Sequence, residues 1–145
     1  MLAQTFRHTA VASVDPASVW VELQEARTWA AIGGVDQIFD ARHRPDGALQ
    51  SYQFTTTAGG RAYQGTARAV ESEAPHRMVV EVETSEIGAR IAVDLAGTTG
   101  GTQVTVELSV SSRSARAAVL FPVIAGAIGS DFPGSVEGFA ARLGG

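Results

Sequence analysis

The feature that most constrains the fold is a long, sparsely charged stretch from Ser114 to Leu143. Its large apolar residues recur at steps of three and four, which places them on a single stripe of an α-helix. The members of this stripe are Phe121, Ile124, Ile128, Phe132, Val136, Phe139 and Leu143. A helix of roughly 30 residues is about 45 Å long. It therefore needs a broad apolar partner elsewhere in the chain.

Two prolines interrupt this predicted helix. Pro122 and Pro133 each remove a backbone donor, and four glycines lower the intrinsic helix stability further. We expect a bend or break near Gly129 to Pro133. A bent helix leaves space between itself and the surface that it covers, and this space is the predicted ligand cavity.

Strands supply the partner. The first runs from Gln4 to Val14, with Phe6, His8 and Ala10 on its apolar face. Short turns containing Gly or Pro separate the later strands, which favours an antiparallel sheet. The later candidates are Val35 to His43, Leu49 to Thr57, Arg61 to Ser72, Arg77 to Glu83, a strand through Ile91, Val93 and Leu95, and a strand through Val104 to Val110.

Two short helices are expected after the first strand. Asp15 is a typical N-cap and Pro16 follows at the first helical position. This helix continues through Leu23, and a second helical piece from Glu25 to Ala30 carries Trp29. The element order predicts an α+β, helix-grip architecture in which about seven antiparallel strands wrap a long, kinked C-terminal helix. We expect residues 1–145 to form a single domain.

Composition excludes several kinds of chemistry. The 145-residue chain has no cysteine, which rules out disulfides and thiolate catalysis, and its eleven basic residues are all arginine. Without lysine there is no side-chain Schiff base. No histidine or acid spacing suggests a metal site, and we expect no cofactor. A net charge of −4 argues against nucleic acid. We see no signal peptide or membrane-inserting segment, and we expect a cytoplasmic monomer or homodimer.

The stretch from Val14 to Leu23, with Asp15-Pro16 followed by Val-Trp-x-x-Leu, resembles the START-like helix-grip superfamily. The similarity is greatest to its polyketide cyclase/dehydrase-like group, in which Trp29 and Gly33-Gly34-Val35 also have counterparts. This resemblance implies a seven-stranded sheet gripping a long helix around an apolar cavity. Members bind lipids, polyketides or other hydrophobic compounds, and some catalyse cyclisation or dehydration. No fixed catalytic residue is implied for this sequence.

The predicted cavity wall combines strand and helix residues. It comprises Tyr52, Phe54, Arg68, His8, Trp29, Phe39 and Met78, together with Phe121, Ile124, Ile128 and Phe132 from the helix. The helix residues are expected to serve the core as well.

Several of these residues have two interpretations. His8 is either a proton carrier in the cavity or an inert histidine near the sheet edge. Arg68 points inward only if its strand has the parity that exposes Tyr63, and the opposite parity leaves Arg68 in water. Tyr52 is either a donor to a ligand oxygen or a core tyrosine whose hydroxyl reaches water. Trp29 lies either in the core or at the cavity mouth.

Three functions are compatible with these patterns. The first is a binding protein for a small hydrophobic molecule. The second is a cyclase or dehydratase that uses Tyr52, His8 or Arg68 as a general acid or to polarise a carbonyl. The third is an interaction module whose interior is filled by its own side chains.

Overall fold

Seven strands form one antiparallel sheet that packs against a long C-terminal helix in the computed structural model, which describes residues 3–33, 35–58 and 60–144. The strand order in the sheet is β1-β7-β6-β5-β4-β3-β2. The predicted α+β helix-grip class is confirmed, while the turn positions Gly34 and Gly59 lie outside the described residues. The elements are β1 Ala3–Ala12, α1 Pro16–Glu22, α2 Ala26–Gly33, β2 Gln37–His43, β3 Leu49–Ala58, β4 Arg61–Glu73, β5 Arg77–Thr84, β6 Ile87–Thr98, β7 Gly101–Ser112 and α3 Ala115–Gly144.

The inward face of the sheet follows from alternation along its central strands. Val93 on β6 lies opposite Val106 on β7, and both side chains are fully buried. Residues directly opposite each other on paired strands share a face, so these rows form one continuous apolar surface. This surface is the partner that the long helix requires.

α1 and α2 are held by specific hydrogen bonds. The Asp15 carboxylate accepts a hydrogen bond from the backbone N–H of Ser18 at 2.9 Å. Hydrogen bonding to the Ser18 side chain, and then to its backbone N–H, lowers the pKa of Asp15. At the end of α1, the indole Nε1 of Trp29 donates to the Leu23 carbonyl at 2.7 Å. Gln24 makes a second hydrogen bond here, because its side-chain oxygen accepts from the Leu49 N–H at 3.1 Å. These bonds fix α2 against the start of β3.

α3 bends earlier than the sequence predicted. Its two parts, Ala115–Val123 and Ile128–Leu143, meet at 67°, so the bend lies N-terminal to the expected Gly129 to Pro133. Pro122 accounts for this position, because it cannot donate to the carbonyl of the preceding turn. The helix continues through Pro133 because this part of it packs on β1, where the ring centroids of Phe6 and Phe132 are 6.4 Å apart.

No single helix among the described residues is both long and apolar enough to cross a membrane. The two parts of α3 meet the length and composition requirement only when they are taken together across the bend.

On two strands, β2 and β4, the residues predicted to line the cavity point away from it. On β2, Ile38 lies opposite the inward-facing Phe54, which leaves Phe39 pointing outward and 37% exposed. On β4, Ala67 lies opposite Tyr52, so the inward row contains Tyr63 and Arg68 is exposed. The predictions that Phe39 and Arg68 line the cavity are therefore wrong.

Candidate ligand-binding cavity

A cavity of about 160 Å³ lies between the sheet and α3. α2 borders it on one side, and the inward rows of β3 to β7 form its floor. Most of its wall is apolar. The lining residues are Trp29, Ile32, Val35, Tyr52, Phe54, Thr56, Thr57, Tyr63, Val82, Thr84, Ile87, Ala89, Ile91, Leu108, Val110, Ile128, Asp131, Phe132 and Ser135.

Small residues on β4 make room for the aromatic part of the wall. Phe54 lies opposite Gly65 across β3 and β4. A Cβ atom built on Gly65 would lie 2.5 Å from Cζ of Phe54 and 2.5 Å from the Glu83 carbonyl oxygen. The Tyr52 and Phe54 rings have centroids 6.2 Å apart and are tilted by 59°, an ordinary geometry for a packed aromatic pair. Gly65 thus permits these two rings to lie side by side.

The Tyr52 hydroxyl is a polar group of the wall that is available to a ligand. The residue is 2% exposed, and its hydroxyl has no hydrogen-bond partner among the described residues. No buried side-chain oxygen or nitrogen of that part of the chain is both fully occluded and unpaired. The hydroxyl therefore touches open space, and the cavity is the space that Tyr52 borders. Burial strongly raises the pKa of Tyr52, because desolvation disfavours the phenolate.

Other polar groups of the wall are already engaged. The Thr84 hydroxyl donates to the Ile87 carbonyl at 3.2 Å and accepts from the Ile87 N–H at 2.9 Å. The Thr57 hydroxyl donates to the Asp36 carboxylate at 2.8 Å. Burial raises the pKa of Tyr63, and the neighbouring Glu86 carboxylate raises it further. These hydroxyls already have partners within the protein.

The β5–β6 turn, beside the lining residues Thr84 and Ile87, makes polar contacts with the start of α3. Arg116 Nε lies 3.1 Å from Glu86 Oε1, and Arg113 Nη1 donates to the Thr84 carbonyl at 2.7 Å. Both contacts connect the first turns of α3 and its approach to the β5–β6 turn. Asp131, on α3 after the bend, is the one charged residue among the described lining residues, and it is exposed at the rim.

No cluster of three His, Cys, Asp or Glu side chains within the described ranges could hold a metal ion.

Several solved structures share this architecture. They include a START superfamily protein from Mycobacterium smegmatis, with a TM-score of 0.69, 9% identity, and coverage of 98% of this chain and 97% of that chain. The Zhui aromatase/cyclase from Streptomyces sp. R1128 has a TM-score of 0.71 and 13% identity, with coverage of 97% and 95%. TTHA0849 from Thermus thermophilus has a TM-score of 0.73 and 14% identity, with coverage of 97% of both chains.

This chain has the START-like helix-grip fold. No protein-family model and no curated protein sequence matches it significantly. At these low identities, the structural likeness establishes the fold alone.

The cavity brings together five of the predicted wall residues. Trp29, Tyr52 and Phe54 meet Ile128 and Phe132 of α3 around the same space. Trp29 is fully buried and forms part of the wall, which agrees with the core interpretation and not with a place at the cavity mouth. Whether these residues contact a ligand stays a prediction. Ile124, also predicted to line the wall, lies outside the residues whose side chains the structure describes.

Three further predicted wall residues lie away from the cavity, in addition to Phe39 and Arg68. His8 lies under α3, where its Nε2 is 2.9 Å from Glu137 Oε1 and its side chain is 29% exposed. Met78 is fully buried near the α1–α2 connection, with its sulfur 3.6 Å from Nε2 of Gln24. Phe121 packs in the core on the part of α3 before the bend.

Sequence reasoning missed the rim of the cavity. Asp131 and Ser135 were not predicted, although they follow Ile128 at helical spacing and adjoin Phe132. That spacing was a usable signal, because residues three and four positions apart share a helix face. Tyr63 was considered only as the alternative to Arg68, and the structure selects that alternative.

Proposed function

We propose that this chain binds a small hydrophobic molecule in the cavity between its sheet and α3. The observation that carries the proposal is a mostly apolar space of about 160 Å³ whose wall includes the fully buried Trp29 and the nearly buried Phe54. Binding sites for small molecules are characteristically concave and apolar, with few polar groups. The unfilled space argues against an interaction module whose interior is occupied by its own side chains.

Catalysis is the second candidate, because one of the structural neighbours is an aromatase/cyclase. Of the three residues considered for that chemistry, His8 and Arg68 lie away from the cavity. Tyr52 lines the cavity, but burial raises the pKa of its hydroxyl, which therefore holds its proton tightly near neutral pH. An efficient general acid has a pKa near the working pH. The geometry therefore favours binding over turnover.

The test combines detection of a bound molecule with blocking of the cavity. Native mass spectrometry of the purified protein is expected to reveal a co-purified hydrophobic compound or, after its removal, uptake of ethylbenzene. Ile128→Trp places a larger side chain on the wall and should abolish uptake. Val119→Trp is the matched control, because Val119 lies on α3 and is 80% exposed. Absence of uptake by the wild-type protein, or equal uptake by Ile128→Trp and the wild type, would contradict the proposal.

A further inference from the structure

We propose that the cavity selects a neutral, ring-sized molecule with an oxygen acceptor, which accepts a hydrogen bond from the Tyr52 hydroxyl. This inference rests on the proposed function and names the class of ligand that the same cavity takes. It follows from three features of the wall: the unpaired Tyr52 hydroxyl, the lack of a basic side chain among the described lining residues, and the volume.

The unpaired hydroxyl determines the polar contact. In the absence of ligand, the space beside Tyr52 is large enough for water, since one water molecule needs roughly 10–15 Å³ of such volume. A pure hydrocarbon would displace this water and leave the hydroxyl without a partner, which costs binding free energy. A ligand oxygen at the same place restores the bond. A phenol hydroxyl is a better donor than acceptor, because its oxygen lone pair is delocalised into the ring, so the contact favours a ligand oxygen that accepts.

The charges around the wall favour a ligand without net charge. None of the described lining residues is Arg or His, and the residues outside the described ranges include no basic side chain. Arg61, the first residue of β4, is exposed and does not line the cavity. Arg113 and Arg116 are also exposed and outside the lining, and they already pair with Glu83 and Glu86. A carboxylate inside the cavity would lose its hydration without gaining a cation, while Asp131 at the rim would repel it. Anionic ligands are therefore disfavoured.

The volume of the cavity limits the size of the ligand. An engineered apolar cavity of about 150 Å³ holds benzene, whereas drug-sized ligands occupy pockets of about 300–1,000 Å³. The present 160 Å³ corresponds to a single ring with a short substituent. Thr56 shares the inward row of β3 and also has no side-chain partner among the described residues. It lies four residues from Tyr52, which separates the two backbone positions by about 13 Å along the strand.

The experiment compares three compounds of similar size by titration of the ligand-free protein, with NMR chemical-shift changes as the readout. Acetophenone supplies the acceptor, ethylbenzene lacks it, and benzoate carries a negative charge. Acetophenone is expected to bind the wild-type protein about three- to tenfold more tightly than ethylbenzene. Benzoate should bind at least about tenfold more weakly than acetophenone.

Two hydroxyl deletions then locate the contact. In Tyr52→Phe the preference for acetophenone over ethylbenzene should fall to about onefold. Thr66→Val removes an exposed hydroxyl from the outward row of β4, away from the cavity, and should keep the wild-type preference. A wild-type ratio near one, or an unchanged ratio in Tyr52→Phe, would overturn the acceptor assignment. Equal binding of benzoate and acetophenone would overturn neutrality. If ethylbenzene binds while these preferences are absent, the inference fails and the proposed function stands; if no compound binds, the proposed function fails as well.

Discussion

Trp29 connects two parts of the molecule through a single side chain. Its ring forms part of the cavity wall, and its indole N–H satisfies the Leu23 carbonyl at the end of α1. A buried carbonyl that loses its partner retains its full desolvation cost. Trp29 therefore helps to position α2 as well as to fill the core, and neither role is replaceable by a ring without a donor.

We predict that Trp29→Phe lowers the free energy of unfolding by about 2–4 kcal/mol, from the unsatisfied Leu23 carbonyl and the smaller ring. Urea unfolding measures this change. Trp20→Phe is the matched control, since Trp20 is half-buried and its indole nitrogen has no hydrogen bond among the described residues. It should cost about 1 kcal/mol or less. Equal losses in the two variants would show that the Trp29 hydrogen bond contributes nothing.

At the scale of elements, strand faces were predictable where large apolar residues alternate. β7 shows this pattern, and its Val104, Val106 and Val110 are all buried as expected. β4 could not be read in this way, because Gly65 and Ala67 face inward and are small. They are small because the large rings of Phe54 and Tyr52 lie opposite them. The information that orients β4 is thus located on β3.

Local irregularities limited the remaining predictions. The register of β2 with β3 shifts after Phe39, next to Asp40, whose φ is +54°. A shift of one residue exchanges the two faces of a strand, and a sequence pattern does not reveal where it occurs. The bend of α3 had two candidate prolines, and only contacts with β1 distinguish them. The existence of a cavity between the sheet and α3 was predictable. Its rim, which includes Asp131 and Ser135, depends on the register of β2 and on the position of the bend.

Glycines on α3 offer a test of how β1 holds the helix. A Cβ atom at Gly129 would lie within 3.1 Å of three carbon atoms of the Phe6 ring, whereas one at Gly138 meets nothing within 4 Å. Gly138→Ala should therefore stabilise the protein by about 0.5–1 kcal/mol through helix propensity. Gly129→Ala should destabilise it by about 1 kcal/mol, because the cost of overpacking exceeds the same gain.

Thermal or urea unfolding of the two alanine variants provides the comparison. Changes of opposite sign are expected, although the substitution and the helix are the same. If both variants are stabilised, the contact between α3 and β1 is looser than the structure indicates. The double variant Gly129→Ala with Phe6→Ala would then separate the contact from helix propensity.

For the molecule as a whole, the two tyrosines link the cavity to stability at alkaline pH. They are the only tyrosines in the chain, and burial raises the pKa of both Tyr52 and Tyr63. The unfolded chain releases these protons near pH 10, earlier than the folded protein does. Stability from this source is therefore fully present below about pH 10 and is lost as pH rises toward the higher folded-state pKa values.

We predict that tyrosinate absorbance appears at higher pH in the folded protein than in the urea-unfolded protein. The urea midpoint should fall between about pH 8 and about pH 11, and Tyr52→Phe should reduce this fall. Coincident titration curves for folded and unfolded protein would show that both hydroxyls are in contact with bulk water.

The pairing of β1 with β7 has a consequence for biosynthesis. Ala12 pairs with Thr102 and Ala3 with Ser111, so a strand made early by the ribosome waits for a partner made about a hundred residues later. Contacts over such sequence separations form slowly. Until then the apolar row that includes Phe6 is uncovered and the cavity is not formed. We therefore expect the proposed ligand to stabilise the folded protein without guiding the nascent chain.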